Sequence, residues 1–356
     1  MDSSAWEGCL MGLAVGDALG YSVDNKTWAR IQETYGPNGL LGYDLQEDYA
    51  AVTSYTQIAA YVCNGLLLSV GKRKPESYLP FVSLGLKEWA RSQQYYRDPE
   101  RSFCWIAKKD TFRRRHCRDP RMLDTLRMQS FSPVKQPQNS YDTPGAMTEA
   151  VAVGLFYSPE RMEPQQVGAL ASQAISLTHG NRQTMLSGVV LAYIITGILQ
   201  EPDTLLTDQI RQAIAVTEAL FPGEEARKLS EYLSEVLDLA ANPGLVLQPQ
   251  MEKFTCLDGR QCLAGAIYAS LTCCQDFDRA MITAVNHSGY SAAVGAMTGA
   301  ILGAHLGIDA LPDFYLESIE CRDSLKVLAE DMQCSAPAAG LFDDDWDQKY
   351  VQGQPL

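Results

Sequence analysis

Residues that could do chemistry are few in this sequence, and most stand far apart. The four histidines, His116, His179, His287 and His305, are too scattered to suggest a histidine metal site. The ten cysteines form no CxxC pair, so we expect reduced thiols in a cytoplasmic protein. The sequence contains no GxxxxGK(S/T), GxGxxG, HExxH or GxSxG. The common signatures of nucleotide sites, zinc proteases and serine hydrolases are therefore missing.

One cluster of polar residues stands directly before a segment with helical spacing. Asn286, His287, Ser288 and Gly289 precede a run of small residues. Backbone N–H groups at a helix N-terminus attract negative charge, and the neighbouring side chains add further donors. The sequence therefore predicts that these four residues bind an anionic group of a ligand.

A second feature is a basic segment, KKDTFRRRHCRDPR, from Lys108 to Arg121. It carries seven of the 29 Lys and Arg residues of a chain whose formal net charge is −14. We interpret it as an exposed insertion between helices, serving either as a solvated surface or as an anion contact. The overall negative charge disfavours a nucleic-acid or anionic membrane surface spread over the whole molecule.

The composition predicts a folded, helical protein. Hydrophobic residues make up 46% of the 356 residues and charged residues 20%, which excludes general disorder. Most of the chain has helical periodicity, with helices predicted over 164–177, 184–199, 208–220, 224–240 and 263–274. No linker divides the chain, so we expect an all-α fold in one compact multi-helical domain over residues 1–356.

No membrane segment is expected. The first basic residue is Lys26, so the N-terminus lacks the positively charged region of a secretory signal. The longest apolar run, from Met185 to Leu199, is shorter than the roughly 20 residues of a membrane span, and we interpret it as a buried helix.

Two glycine ladders need a physical reason. Gly8, Gly12, Gly16 and Gly20 recur every four residues near the start, and Gly295, Gly299, Gly303 and Gly307 do so near the end. Four-residue spacing places each set on one helix face. Glycine costs about 1 kcal/mol per helical position. The ladders therefore predict close backbone approach, either to another helix or to a ligand.

Several ordered blocks resemble the ADP-ribosylglycohydrolase family, the DraG-like hydrolases. The blocks are GCLMGLAVGDALGYSVD, GPNGLLGYDL, TSYTQIAAYVCNGLL, NSYDTPGAMTEAVAVGLF, SLTHGN, AVNHSGYSAAVGAMTGAILGAHLG and the C-terminal WDQKY. They cover nearly the whole chain in the order of the family. The resemblance implies a single all-α domain, in agreement with the periodicity.

The resemblance also implies where active members bind two divalent metals, usually Mg²⁺. The first acidic motif corresponds here to Thr53, Ser54 and Tyr55, where only the threonine hydroxyl is retained. The second corresponds to Tyr290, Ser291, Ala292 and Ala293. All four carboxylates of the two motifs are replaced.

This replacement predicts that the metal site is lost. Mg²⁺ requires oxygen ligands in near-octahedral order, and alanine offers none. Without a metal, no bound water is activated and no Lewis acid orients the substrate. We therefore expect no metal and no cofactor.

Other positions of the family site are better retained. Asp17 and Gly20 are kept, and Asp24 stands where the family has a glutamate. In the substrate loop, Tyr141 to Gly145, which includes Asp142, only Gly145 is retained. His179 corresponds to a histidine that approaches the ligand, although a histidine in such a turn is commonly structural.

Tyr55 and Tyr290 correspond to metal-facing positions. Their rings either plug the cavity or stack on a base or sugar. We predict ligand contacts from Tyr55, Tyr290, Asp142, Gly145, His179 and residues 286–289.

Three functions follow. The first is an inactive relative that binds ADP-ribose, a related nucleotide or an ADP-ribosylated protein. The second is a metal-independent hydrolase using Asp24 or Asp17, with Asp142 and Glu149 as further carboxylates. The third is a protein-binding scaffold with a closed cleft. No nucleic-acid or membrane partner is expected.

Overall fold

The computed structural model describes residues 3–45, 48–70, 77–94, 99–128, 139–242, 250–334 and 344–354. Within them the prediction of an all-α fold is confirmed, since no strand forms and a single parallel bridge joins Ala50 to Ile319. The helices are α1 (Ser4–Tyr21), α2 (Trp28–Tyr35), α3 (Ser54–Leu67), α4 (Leu79–Ser92), α5 (Pro120–Met128), α6 (Met147–Phe156), α7 (Pro164–Ser176), α8 (Arg182–Gln200), α9 (Leu206–Leu220), α10 (Glu224–Ala240), α11 (Gly259–Thr272), α12 (Phe277–Val285), α13 (Ser291–Leu306), α14 (Asp313–Leu316), α15 (Arg322–Gln333) and α16 (Asp344–Trp346).

Capping residues set the helix starts. Asn181 accepts a hydrogen bond from the N–H of Thr184 and begins α8. Asp258 accepts one from the N–H of Gln261 and begins α11 four residues before the predicted start at 263. The predicted range 224–240 coincides with α10. Apolar periodicity located the helices, and the caps decided where they begin.

The two glycine ladders face each other across the centre of the molecule. Helices α1 and α13 pack antiparallel, so that Gly12 meets Gly299 and Gly16 meets Gly295. A Cβ placed on Gly16 would lie 1.9 Å from the carbonyl oxygen of Gly295. The ladders therefore serve helix–helix contact, one of the two alternatives that the sequence left open. Gly307 has a different role, since it ends α13 with a positive φ of 77°.

This crossing positions the candidate site. Residues Gly8 to Gly20 of α1 are all buried, as are residues Ser291 to Ala304 of α13. The C-terminal end of α1 consequently reaches the N-terminus of α13, and the N-terminus of α3 lies beside it through Asp17. Residues of α1 can therefore contact two helix starts at once.

Among the described residues, α8 alone is long and apolar enough to cross a membrane by length and composition. Within the protein, 67% of its most apolar window is buried. This helix contains the apolar run that we interpreted as a buried helix.

Gly16→Ala tests the crossing of α1 and α13. We expect it to lower the free energy of unfolding by about 3 kcal/mol, because the added methyl group collides with backbone that cannot rotate away. Gly197→Ala is the matched control, because a Cβ there would meet nothing closer than 4.0 Å on the described residues. It should raise stability by up to about 1 kcal/mol through helix propensity. Chemical denaturation of both variants measures the difference, and equal effects would contradict the proposed packing.

Candidate functional site

Asp17 of α1 caps the N-terminus of α3. Its side chain is fully buried, and Oδ2 accepts from the backbone N–H groups of Thr53 at 2.8 Å and Thr56 at 3.1 Å. The two threonine hydroxyls also donate to its oxygens, each at 2.6 Å. Burial raises the pKa of Asp17, and these hydrogen bonds oppose the rise. Both carboxylate oxygens are thus engaged by α3.

Asp24 makes the equivalent contact with α13. Its Oδ1 accepts from the N–H of Ala292 at 3.0 Å. Its Oδ2 accepts from Nε of Arg118 at 3.0 Å, from a terminal guanidinium nitrogen and from Nδ2 of Asn25 at 3.1 Å. Burial raises the pKa of Asp24, and the charge of Arg118 opposes the rise. The two candidate catalytic carboxylates are therefore both held by internal donors.

The positions that the resemblance assigned to the first metal motif lie at the start of α3. Thr53 is the N-cap, and its hydroxyl oxygen donates to Asp17 and accepts from the N–H of Tyr55 at 3.3 Å. The hydroxyl oxygen of Ser54 accepts from the N–H of Arg118 at 2.9 Å. Tyr55 is 1% exposed, and burial together with the nearby Asp24 raises its pKa well above its ordinary value. Its phenol is thus neutral and enclosed.

The second metal motif corresponds to the start of α13. Tyr290 is the N-cap, its N–H donates to the carbonyl oxygen of Cys256 at 2.9 Å, and its ring is half-buried. Ala292 and Ala293 are buried methyl groups. Within the described ranges, no group of three or more His, Cys, Asp or Glu side chains is placed to hold a metal ion. The residues around these two helix starts do not fit Mg²⁺.

The loop that contains Asp142 packs on the buried side chains of Asp119 and His179. Nε2 of His179 lies 3.2 Å from Oδ2 of Asp119 and 3.0 Å from the hydroxyl of Thr143. Burial by itself would raise the pKa of Asp119, but hydrogen bonds from His179 and Thr143 lower it to about 2. A Cβ on Gly145 would lie 2.6 Å from Asp119, which explains the glycine. The carbonyl oxygen of Asp142 accepts from the N–H of Gly259 at 2.7 Å.

The predicted anion donors before α13 already have protein partners. Asn286 exchanges two hydrogen bonds of 2.8 Å with the backbone of Leu40. The N–H and hydroxyl of Ser288 donate to the carboxylate of Glu252 at 2.6 and 3.0 Å. Their role in ligand binding stays a prediction, and a ligand would have to compete with these bonds.

His287 is fully buried beside the thiol of Cys256. A hydrogen bond from Cys262 and the charge of His287 lower the pKa of Cys256. Burial would lower the pKa of His287, but Cys256 raises it to about 9. Cys256 also has a positive φ of 48°. Cys256 and His287 shape the loop whose Cys256 carbonyl oxygen accepts from the N–H of Tyr290. Sequence reasoning missed this pair because the two residues are 31 positions apart.

The basic segment is not the exposed insertion that we expected. Phe112 and Asp119 are buried, and Arg114 is paired with Glu320. Arg118 is paired with Asp24, and its side chain is 24% exposed. Arg114 and Arg118 therefore neutralise internal carboxylates, and the segment crosses the candidate site. The excess of arginine in an acidic chain was the signal that could have identified it.

Aromatic rings and arginines lie at the surface around the candidate site. The ring of Tyr21 stacks on His116 with centroids 5.4 Å apart, and the guanidinium of Arg118 lies 5.3 Å from the Tyr21 centroid. The guanidinium of Arg121 lies 4.9 Å from the centroid of Tyr141. Burial and the nearby Asp119 raise the pKa of Tyr290, and Arg121 opposes the rise. We call Tyr21, Arg118, Arg121, Tyr141 and Tyr290 the aromatic–arginine rim.

Comparisons with known proteins agree with this architecture. A family model described as ADP-ribosylglycohydrolase matches residues 3–343. ADP-ribosylhydrolase ARH3 of Bos taurus is 22% identical over 359 aligned residues, which cover 92% of each chain. The Homo sapiens protein of the same name is also 22% identical, covering 92% of this chain and 93% of its own. A solved structure titled ADP-ribosylglycohydrolase-related protein complex has a TM-score of 0.58 and 23% identity, covering 94% of this chain and 99% of its own, which shows a shared fold.

Glu149 of α6, one of the carboxylates considered for hydrolysis, is fully buried, and neither of its oxygens has a partner among the described residues. Burial raises its pKa well above the ordinary 4.5. Above pH 4.5 the unfolded chain releases this proton while the folded chain keeps it, so the unfolded state binds fewer protons. Stability must then fall as the pH rises, by up to about 1.4 kcal/mol per pH unit.

Glu149→Gln should remove this dependence. We expect the variant to gain stability over the natural protein steadily between pH 5 and pH 8, as measured by urea denaturation at each pH. Glu235→Gln, at an exposed position of α10, is the control and should leave the pH profile unchanged. Parallel profiles for the natural protein and Glu149→Gln would show that Glu149 is ionised in the folded state, which requires a hydrogen-bond donor or a cation beside it.

Proposed function

This chain belongs to the ADP-ribosylglycohydrolase family, and from that premise we propose that it lacks metal-dependent hydrolysis and binds an ADP-ribose-like group at the aromatic–arginine rim. The observation that carries the first part is the chemistry of the two helix starts. Ser54, Tyr55, Tyr290 and Ala292 stand at the carboxylate positions of the family, and Asp17 and Asp24 are saturated by internal donors.

Metal-independent hydrolysis is disfavoured by the same contacts. A general acid or base needs an oxygen within hydrogen-bonding reach of the substrate. The oxygens of Asp17 are bonded to α3, and those of Asp24 to Ala292, Asn25 and Arg118. Glu149 is fully buried. Asp142, which is partly exposed, would then lack a second carboxylate at the centre.

The composition of the rim supports the proposed ligand class. Base and sugar rings stack on aromatic side chains, and guanidinium groups pair with phosphate oxygens. The rim offers three partly exposed tyrosines, Tyr21, Tyr141 and Tyr290, beside Arg118 and Arg121. Such a surface suits free ADP-ribose, a related nucleotide or the modified side chain of an ADP-ribosylated protein. No metal or other cofactor takes part in this proposal.

A protein-binding scaffold with a closed cleft is the second candidate. It is favoured by the burial of Tyr55 and by the engaged donors of Asn286 and Ser288. Four described cavities, with volumes of 210 to 560 Å³, are lined by residues outside the rim and the two helix starts. In this case Tyr55 and Tyr290 fill space and contact no nucleotide.

Calorimetric titration with ADP-ribose, in EDTA and in Mg²⁺, tests the two candidates. We expect binding of equal affinity in both buffers and no release of ADP-ribose from a modified peptide. An affinity that requires Mg²⁺, or metal-stimulated hydrolysis, would contradict the proposal. Absence of binding in either buffer would favour the scaffold.

Variants of the rim locate the ligand. Tyr290→Ala should weaken ADP-ribose binding about tenfold, because a stacked base contributes about 1–3 kcal/mol. Arg121→Ala should weaken it through loss of a phosphate contact. Arg127→Ala is the matched control, since Arg127 is an exposed arginine on the same helix, α5, paired with Asp124. If all three variants bind equally well, the ligand lies elsewhere.

A further inference from the structure

We propose that the guanidinium of Arg118 is a built-in cation that replaces the divalent metals and joins the two helix starts. This inference rests on the proposed absence of a metal site; Arg118 also belongs to the rim, but the test below needs no ligand there. It assigns Arg118 as a positioning residue that nothing in the resemblance to the family suggested.

The contacts of Arg118 reach both degenerate metal motifs. Its backbone N–H donates to the hydroxyl of Ser54, at the first motif. Its guanidinium donates through two nitrogens to Asp24, whose other oxygen accepts from the N–H of Ala292 at the second motif. Arg118 and the carboxylate of Asp24 therefore connect the starts of α3 and α13, as metal ions would do through carboxylate ligands.

The charges around Arg118 agree with this role. Asp24 is completely buried within the ion pair, while the arginine side chain remains partly exposed. Burial by itself would lower the pKa of Arg118, but Asp24 outweighs it and raises that pKa. Guanidinium is charged at every physiological pH, and its planar fork suits a carboxylate. Removal of one partner of a buried ion pair is strongly destabilising, because it leaves the other charge buried and unpaired.

The arginine also explains why a metal would not return. A divalent ion beside Asp24 would lie next to a fixed positive charge and would have to displace two charge-assisted hydrogen bonds. Tyr21, whose ring lies under the guanidinium, holds it from the other side. Tyr55, which is buried, lies near Asp24. Arg118 and a divalent ion are therefore mutually exclusive occupants.

A double-mutant cycle of Arg118→Met, Asp24→Asn and their combination tests this inference. Arg118→Met should lower the melting temperature in EDTA by about 5 °C or more, because it leaves Asp24 buried and unpaired. Asp24→Asn combined with Arg118→Met should recover at least half of that loss. Arg127→Met, on an exposed arginine, should change little. If Arg118→Met does not fold, Arg118→Lys replaces it in the test, because lysine keeps the charge without the planar guanidinium. We expect Arg118→Lys to lower the melting temperature by an intermediate amount.

A metal titration completes the test. Millimolar Mn²⁺ should leave the melting temperature of the natural protein unchanged. Additive effects in the cycle would overturn the role of Arg118. Failure of ADP-ribose to bind would overturn the proposed ligand only, so the two proposals fail separately. Tight Mn²⁺ binding by the natural protein would overturn the absence of a metal site as well.

Discussion

The close contact between α1 and α13 is the constraint on which the site depends. Glycines on both helices bring the backbones together until a single methyl group would collide with a carbonyl oxygen. Because the helices run antiparallel, the end of α1 lies at the start of α13. Asp17 and Asp24 are thereby delivered to two helix N-termini, where the aligned peptide dipoles favour negative charge.

The same geometry holds the two helix starts together under the proposed absence of metals. The start of α3 is capped by Asp17 of α1, the start of α13 is capped by Asp24 shortly after α1, and the charge of Asp24 is balanced by Arg118. Under this proposal, hydrogen bonds from neutral groups and one guanidinium hold the elements that metal ions would otherwise hold. The two helix starts are then hydrogen-bonded parts of the core.

The sequence predicted the fold better than the site. Helical periodicity located the helices, and the glycine spacing predicted close backbone approach without naming the partner helix. The contacts of Asp17 could not be derived, because its donors Thr53 and Thr56 are 36 and 39 positions away. The basic segment was assigned to the surface, because composition cannot reveal that Arg118 meets a carboxylate 94 positions earlier. The chemistry of each charged side chain depends on a partner that is distant in sequence. A single sequence does not identify that partner.

The pairing of an early helix with a late one also has a consequence during synthesis. Helix α1 is buried over thirteen consecutive residues, from Gly8 to Gly20, while its partner begins only at Ser291. At ribosomal rates of about 5–20 residues per second, roughly 15 to 55 s separate the emergence of the two. During that interval the nascent chain exposes an apolar helix that lacks its main packing partner. Chaperone protection of the growing N-terminus would therefore matter more for this architecture than for one whose central helices are adjacent in sequence.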